Sequence, residues 1–314
     1  MLIYLLRRIA LAVPTLLLAA AAVFLLVRLI PGDPAMVLLG DDATAEQLAT
    51  IHHALGLDQR VPVQFAVWLG RVLHGDLGVS IVNHLPVLAL VLQRAAVSAT
   101  IVGLAVGIAT LVALPLGLLA AWREHGWLDL GVVTGSTLLL SLPSFWLGLL
   151  LLLFFGLKLG WLPVVGYVAL SDNVQQGVLY LILPVVTLAA VECGTLLRMA
   201  RASAIEVLRL EYVMHARAKG ASEARVLFRH VLPNAFAPTL TVIGLILGHL
   251  LGGIAVLETV FTLPGLGRLI VDSIFSRDYP VIQGCLLFGA GVYIVINLLV
   301  DLCYPLFDPR VSIE

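Results

Sequence analysis

Charged side chains are what this chain has least of. Asp, Glu, Lys and Arg together make up 12% of its 314 residues, against 61% hydrophobic. With a mean hydropathy of +1.08, that shortage excludes a water-soluble domain, which has too little interior to hide so much apolar side chain. The chain belongs in a bilayer. A formal net charge of -1 leaves no global basic field and excludes a nucleic-acid partner held by one. Cysteine is scarce too: Cys193, Cys285 and Cys303 are an odd set lying within or at the ends of apolar runs. They cannot form a disulfide framework and read as small apolar fillers. No G-x-x-x-x-G-K-[ST] segment occurs, so the chain cannot cradle ATP phosphates in that manner.

What is present is a series of long apolar runs between scattered charges. A membrane helix needs roughly 20 mainly apolar residues to cross about 30 Å of hydrocarbon. Six runs qualify: one between Arg8 and Arg28, containing Pro14, then Val97 to Ala121, Leu130 to Leu157, Val178 to Leu197, Pro238 to Leu257 and Tyr279 to Val300. The expected fold is therefore an all-α polytopic membrane protein with six transmembrane helices. "LGWLPVVGYVAL" is too short and too broken to cross and reads as a loop at the membrane surface. The first run carries alanines that mimic a signal-peptide cleavage site, but it is too long for a typical signal core and is expected to be retained.

Basic residues set the orientation. With the N-terminus inside, Arg7, Arg8, Arg123, Arg310 and all seven basic residues between spans four and five face the cytoplasm: Arg198, Arg201, Arg209, Arg217, Lys219, Arg225 and Arg229. Both termini are then cytoplasmic. The chain divides into residues 1–30 with the first span, an extracytoplasmic loop over 31–96, and a core over 97–314. In the outer loop, Thr44 and Gln47 form a capping box, Leu48, Ile51 and Leu55 make an apolar stripe, and Gly56 stops the helix. A second helix starts at Pro62, with Phe65, Trp68, Leu69 and Val72 on one face. Both are expected on the outer membrane surface or packed on the span ends. His52 and His53 point about 100° apart on a helix and read as a solvated face rather than a metal site.

The inner segment is the most charged part of the chain. "ARAKGASEARVLFRHVLPNA" packs Arg217, Lys219, Arg225 and Arg229 against the single acid Glu223. A helix is expected over Ser203 to Lys219. Gly220 can adopt a positive φ and turn the chain, and Ser222 can cap a short helix that ends before Pro233. Charge alone leaves open whether this is a solvated loop or a docking surface.

The spacing of Gly220, nine residues, then His230-Val231-Leu232-Pro233 resembles the "EAA" loop of permease subunits of ATP-binding-cassette importers. Of the opening triplet only Ala216 survives, after Met214 and His215, and His230 stands where the family has Ile. These departures resemble the peptide and nickel branch, to which "LIPGDPA", "LGLDQ", "HGDLGVS", "VFTLPGLGRL", "RDYPVIQ" and "DPR" are also similar across nearly the whole chain. The resemblance implies a B-type permease of the bacterial inner membrane, carrying di- or oligopeptides, or else nickel or glutathione, by alternating access. It implies as partners a homologous second permease, two ATP-binding-cassette ATPases and an extracytoplasmic solute-binding protein. ATP and Mg would be held by the ATPases, with no cofactor and no catalytic residue on this chain. It places the loop, within residues 203–235, in the groove of an ATPase: Ala216, Arg217, Ala218, Lys219, Gly220, Glu223, Arg225, Arg229, Leu232 and Pro233 would form the contact, with the basic residues on acidic rims.

The pathway is marked less sharply. Gly244, Gly248 and Gly252 recur every four residues, a smooth face suited to close helix packing or to a channel. His249 reads either as a pathway residue or as a hydrogen-bonded packing histidine. Glu192 reads as a pathway acid or as the partner of Arg198 or another polar group near the inner face, while Glu258 and Asp301 are expected to be satisfied by water or an arginine. An intramembrane hydrolase would need a Ser or Asp beside His249, and none is evident. An ion-driven secondary transporter would carry midplane acids and an internal repeat, and neither is clear.

Overall fold

A computed structural model describes residues 2–29, 36, 44–54 and 58–307. Leu55, Gly56, Arg310, most of "LIPGDPA" and all of "DPR" lie outside the described residues, as do the side chains of Arg7, Ile51 and His52. Among the described residues there is no strand, only an isolated antiparallel bridge between Val79 and Pro86. Helix dominates because a bilayer offers the backbone no hydrogen-bond partners of its own.

Helix α1 (Leu2–Leu29) is followed by two short outer helices, α2 (Ala45–Ala54) and α3 (Val61–Leu73). At the start of α2, Gln47 N–H donates to Thr44 Oγ1 at 3.3 Å and Thr44 N–H donates to Gln47 Oε1 at 3.0 Å, the reciprocal pattern of a capping box. Helix α3 packs on the outer end of α1, where Phe24 meets Phe65 at 5.2 Å and Trp68 at 5.4 Å between ring centroids. The Arg28 guanidinium lies over the Phe24 ring, 3.7 Å from its centroid, and donates to Gln64. His53 is exposed and lies 2.9 Å from the Asp58 carboxylate.

Helix α4 (Val87–Trp122) begins ten residues before the expected Val97, so Arg94 lies within the helix rather than bracketing it. At about 1.5 Å per residue its 36 residues reach well beyond a ~30 Å hydrocarbon layer. The expected straight span Leu130 to Leu157 is instead a bent pair: α5 (Trp127–Ser141) and α6 (Ser144–Leu151) meet at 96°, and α6 continues as a π-helix over Leu152–Lys158. Pro143 is the cause. It supplies no N–H and forces Leu142 into an extended conformation (φ -93°, ψ 125°). The segment "LGWLPVVGYVAL" is non-helical and packs on the span ends through Leu162, Tyr167 and Leu170.

Helix α7 (Val174–Leu208) is capped by Asn173, whose side chain accepts from Gln176 N–H. It forms the centre of the protein with α4: Ile101, Ala105, Ala113, Leu188, Leu196 and Ala200 are all buried. Small residues let the two backbones approach; a Cβ on Gly117 would stand 2.8 Å from the Ala200 methyl. The expected helix Ser203 to Lys219 is two helices. The chain leaves α7 at Arg209, passes an extended Leu210 (φ -75°, ψ 144°), and restarts as α8 (Glu211–Ala218).

The remaining elements are α9 (Glu223–Val226), a π-helical turn Leu227–Val231, α10 (Leu232–Gly253), α11 (Ala255–Val260), α12 (Leu266–Phe275) and α13 (Tyr279–Phe307). The short helix expected to stop before Pro233 does not stop. Pro233 is the second residue of α10, directly after the π-helical turn Leu227–Val231, and the chain runs on helically from Glu223 into the membrane. Asp301 on α13 pairs with Arg8 on α1 at 3.0 Å. Asp278, 2% exposed, accepts hydrogen bonds from Ser80 Oγ at 2.5 Å and Ile81 N–H at 3.2 Å, which fastens "HGDLGVS" to "RDYPVIQ". Among the described residues five helices are long and apolar enough to cross a membrane, and the bent pair α5–α6 makes a sixth if it counts as one span.

Candidate coupling surface and translocation path

The charged inner segment is built around one residue in a left-handed conformation. Gly220 has φ 81°. Its N–H donates to the Arg217 carbonyl at 2.9 Å, and Ala221 N–H reaches back to the Ala216 carbonyl at 3.2 Å. This pair of bonds satisfies the last carbonyls of α8 and reverses the chain. Nothing lies within 4 Å of where a Cβ would be, so the glycine is required by backbone conformation rather than by space. Ser222 occupies the cap position of α9, but its side chain makes no cap bond; the expected side-chain cap is absent.

The turn is held flat against the membrane helices. Val213, Val226, Leu227 and Val231 are buried together with Leu118 and Ala121 of α4, Ala204 and Val207 of α7, and Ala235 of α10. Each fully buried valine or leucine contributes about 1.5–3 kcal/mol at most. Arg217 forks onto Glu223, Nε to Oε1 at 2.9 Å and Nη2 to Oε2 at 3.0 Å, and Trp122 at the end of α4 donates its indole N–H to the same carboxylate at 3.1 Å. Arg217, expected to meet an acidic rim, is 37% exposed and is paired with the other arm of the same turn. Lys219, Arg225 and Arg229 are exposed and make no ion pair among the described residues. They stand beside Phe228 and Met214, 68% and 53% exposed. Ala216 and Leu232 are half-buried, and Ala218 and Pro233 exposed.

Two further ion pairs tie the short α4–α5 turn to α7. Arg201 donates Nη2–H to Asp129 Oδ2 at 2.8 Å and Nε–H to Oδ1, and the same carboxylate accepts His125 N–H at 3.0 Å. Arg209 reaches Glu124 at 3.2 Å. In the sequence Arg201 and Arg209 count only as basic residues on the inside. Nothing local signals the pairing, because Asp129 and Arg201 are 72 positions apart.

A second polar cluster, on the side expected to face outward, is fully enclosed. Glu258, 0% exposed, accepts from Ser98 Oγ at 2.5 Å and from Arg268 N–H at 2.8 Å, and Ser98 Oγ in turn accepts Leu266 N–H at 2.8 Å. The expectation of water or an arginine is therefore corrected: a serine on α4 and the first amides of α12 hold the carboxylate. A carboxylate at a helix N-terminus is favoured by the unpaired amides there. Gly265 makes room for it, since a Cβ would stand 2.0 Å from Glu258 Oε1.

The proposed pathway residues separate. Gly244 and Gly248 are buried against α13, where added Cβ atoms would lie 2.3 Å from Val300 Cγ2 and 2.5 Å from the Tyr293 ring. Gly252 is exposed with open space beside it. His249 is exposed and has no hydrogen-bond partner among the described residues. It shares an uncovered face with Leu245, Gly252 and Val256. Glu192 is half-buried and does not pair with Arg198, which is exposed on another face of α7.

The described residues form a multi-pass helical bundle in which a packed, cation-bearing turn joins three of the long helices. Residues 113–313 match the family described as "Binding-protein-dependent transport system inner membrane component", and residues 1–103 match its N-terminal component. The chain belongs to this family: it is a multi-pass permease of the bacterial cytoplasmic membrane and part of an ATP-binding-cassette transport system. It is 43% identical to a probable peptide ABC transporter permease protein of Sinorhizobium fredii, over 98% of this chain and 99% of the relative. It is 42% identical to a putative peptide transport system permease protein of Brucella suis, over 98% of each chain. It is also 42% identical to a glutathione transport system permease protein of Salmonella typhi, over 99% of each.

Proposed function

We propose that this chain forms half of the translocation pathway of an ATP-driven importer of di- and oligopeptides, working by alternating access. A homologous second permease forms the other half, two ATPase subunits bind ATP and Mg on the cytoplasmic side, and a solute-binding protein delivers substrate from outside. This chain binds no cofactor and carries no catalytic residue. The observation that carries the reading is the packed inner turn. The Arg217–Glu223–Trp122 contacts and the valines beneath them join the Gly220 turn to α4, α7 and α10 at once, so a push on the turn moves three membrane helices as a body. Lys219, Arg225, Arg229, Phe228 and Met214 present the cations and apolar side chains that an acidic-rimmed groove would accept.

Peptides come first as substrate because the Sinorhizobium and Brucella relatives are named for peptide transport. Glutathione, itself a short peptide, is the second reading, supported by the Salmonella relative. The contact is tested by placing a photo-activatable thiol probe on an Arg225→Cys variant of the whole transporter, with the native cysteines replaced. The expected result is a cross-link to an ATPase subunit. Cross-links to the ATPase from Trp161→Cys, and none from Arg225→Cys, would reverse the orientation.

A further inference from the structure

We propose that Glu192 is the membrane-embedded acid that receives the free ammonium group of the substrate as it leaves toward the cytoplasm. The inference rests on the peptide reading above and names the chemical group recognised.

The observation is a change of cover along one face of α7. Gly177, Leu181, Pro184 and Leu188 follow one another at helical spacing and are all buried. The same stripe continues inward through Glu192, Thr195, Met199, Ala202 and Glu206, none of which is buried. One flank stays closed at these levels, where Cys193, Leu196, Leu197, Ala200, Ser203 and Ala204 are buried, while on the other flank Arg198 is exposed and Val191 and Ile205 are half-buried. The stripe is therefore sealed toward the outer end and uncovered toward the inner end. Glu192 is the first residue below the seal, about half-way along a helix roughly 50 Å long.

Lipid cannot be what covers the open half. An acid facing hydrocarbon costs several kcal/mol, and such residues line water-filled cavities or interfaces instead. Among the described residues Glu192 makes no hydrogen bond and no ion pair, whereas Asp129 and Asp301 are paired with arginines and Glu258 is held by a serine hydroxyl and a backbone amide. Water in a cleft would keep it charged, and a carboxylate at the apex of an inward-opening cleft is placed to meet a cation descending the path. Dipeptides and glutathione differ in many ways but share an α-ammonium group, so one acid serves both substrate readings.

The test uses the complete transporter in proteoliposomes, with its binding protein and labelled dialanine. Glu192→Gln is expected to lower the uptake rate roughly tenfold or more, as for the loss of a charge-assisted contact. ATP hydrolysis stimulated by the loaded binding protein should stay near the parent level. Glu192→Asp should restore most of the uptake, which a merely structural role would not require. In a second arm, Glu192→Cys with the other cysteines replaced should react with a cationic methanethiosulfonate reagent from the cytoplasmic side, and dialanine should slow that reaction. Parent-level uptake by Glu192→Gln, or a thiol at this position that stays unreactive because the second permease covers it, would overturn the assignment. Failure of the parent transporter to take up either dialanine or glutathione would instead overturn the peptide reading.

Discussion

Arg217 and Glu223 lie on opposite arms of the Gly220 turn and are joined by two parallel hydrogen bonds of 2.9 and 3.0 Å, with the Trp122 indole on the same carboxylate. Both side chains are more than a third exposed, so the pair adds little to global stability; exposed pairs contribute about 0–1 kcal/mol. Its consequence is mechanical. Glu223→Gln should leave expression and thermal stability within about 0.5 kcal/mol of the parent, yet lower the uptake obtained per ATP hydrolysed. Parallel measurement of uptake and phosphate release checks this, and an unchanged ratio would remove the pair from the coupling route.

Gly220 separates conformational strain from crowding. Because space for a Cβ is open while φ is 81°, substitutions should rank by their tolerance of the left-handed region. Asn should be mildest, Ala should cost about 1–2 kcal/mol of local strain, and Val should cost more. Coupled uptake should fall in that order while membrane insertion persists. Normal uptake in Gly220→Val would count against the docking assignment.

These two features differ in how far the sequence discloses them. Gly220 was readable because a turn requiring a positive φ is a local matter, decided by one residue and its neighbours. The Trp122–Glu223 and Ser98–Glu258 contacts join residues 101 and 160 positions apart, and no local pattern announces them. The bend at Leu142–Pro143 was concealed differently: its flanks are apolar enough to read as one span, and composition outweighed the proline. The break at Arg209–Leu210 has neither Gly nor Pro to mark it. Glycine periodicity at 244, 248 and 252 was visible, but the partner of each glycine depends on where α13 lies.

Those glycines give the next prediction. Gly244→Ala and Gly248→Ala should each destabilise the purified complex by about 1–3 kcal/mol, because Val300 and Tyr293 must yield to the new methyl. Gly252→Ala should be close to neutral. Val300→Ala should partly rescue Gly244→Ala and leave Gly248→Ala unrelieved, a pattern that thermal unfolding in detergent can resolve.

Ser98 is predicted to be the outer counterpart of the inner turn. Ser98→Ala would strip Glu258 of its hydroxyl donor and Leu266 N–H of its acceptor inside an enclosed site. Unsatisfied buried groups cost about 1–3 kcal/mol each, so the melting temperature should fall. Ser98→Thr, which keeps the hydroxyl, should be milder. Equal loss in both variants would show that packing, not the hydrogen bonds, holds the cluster.

Transport through this chain is expected to be driven by ATP hydrolysed on a partner and delivered through the Gly220 turn. Uptake of dialanine by inside-out-depleted, sealed right-side-out vesicles, with internal ATP and the ion gradient varied independently, tests it most directly. Uptake should follow ATP, persist when the gradient is collapsed, and be lost in Gly220→Val. Uptake that follows the gradient and ignores ATP would contradict the account.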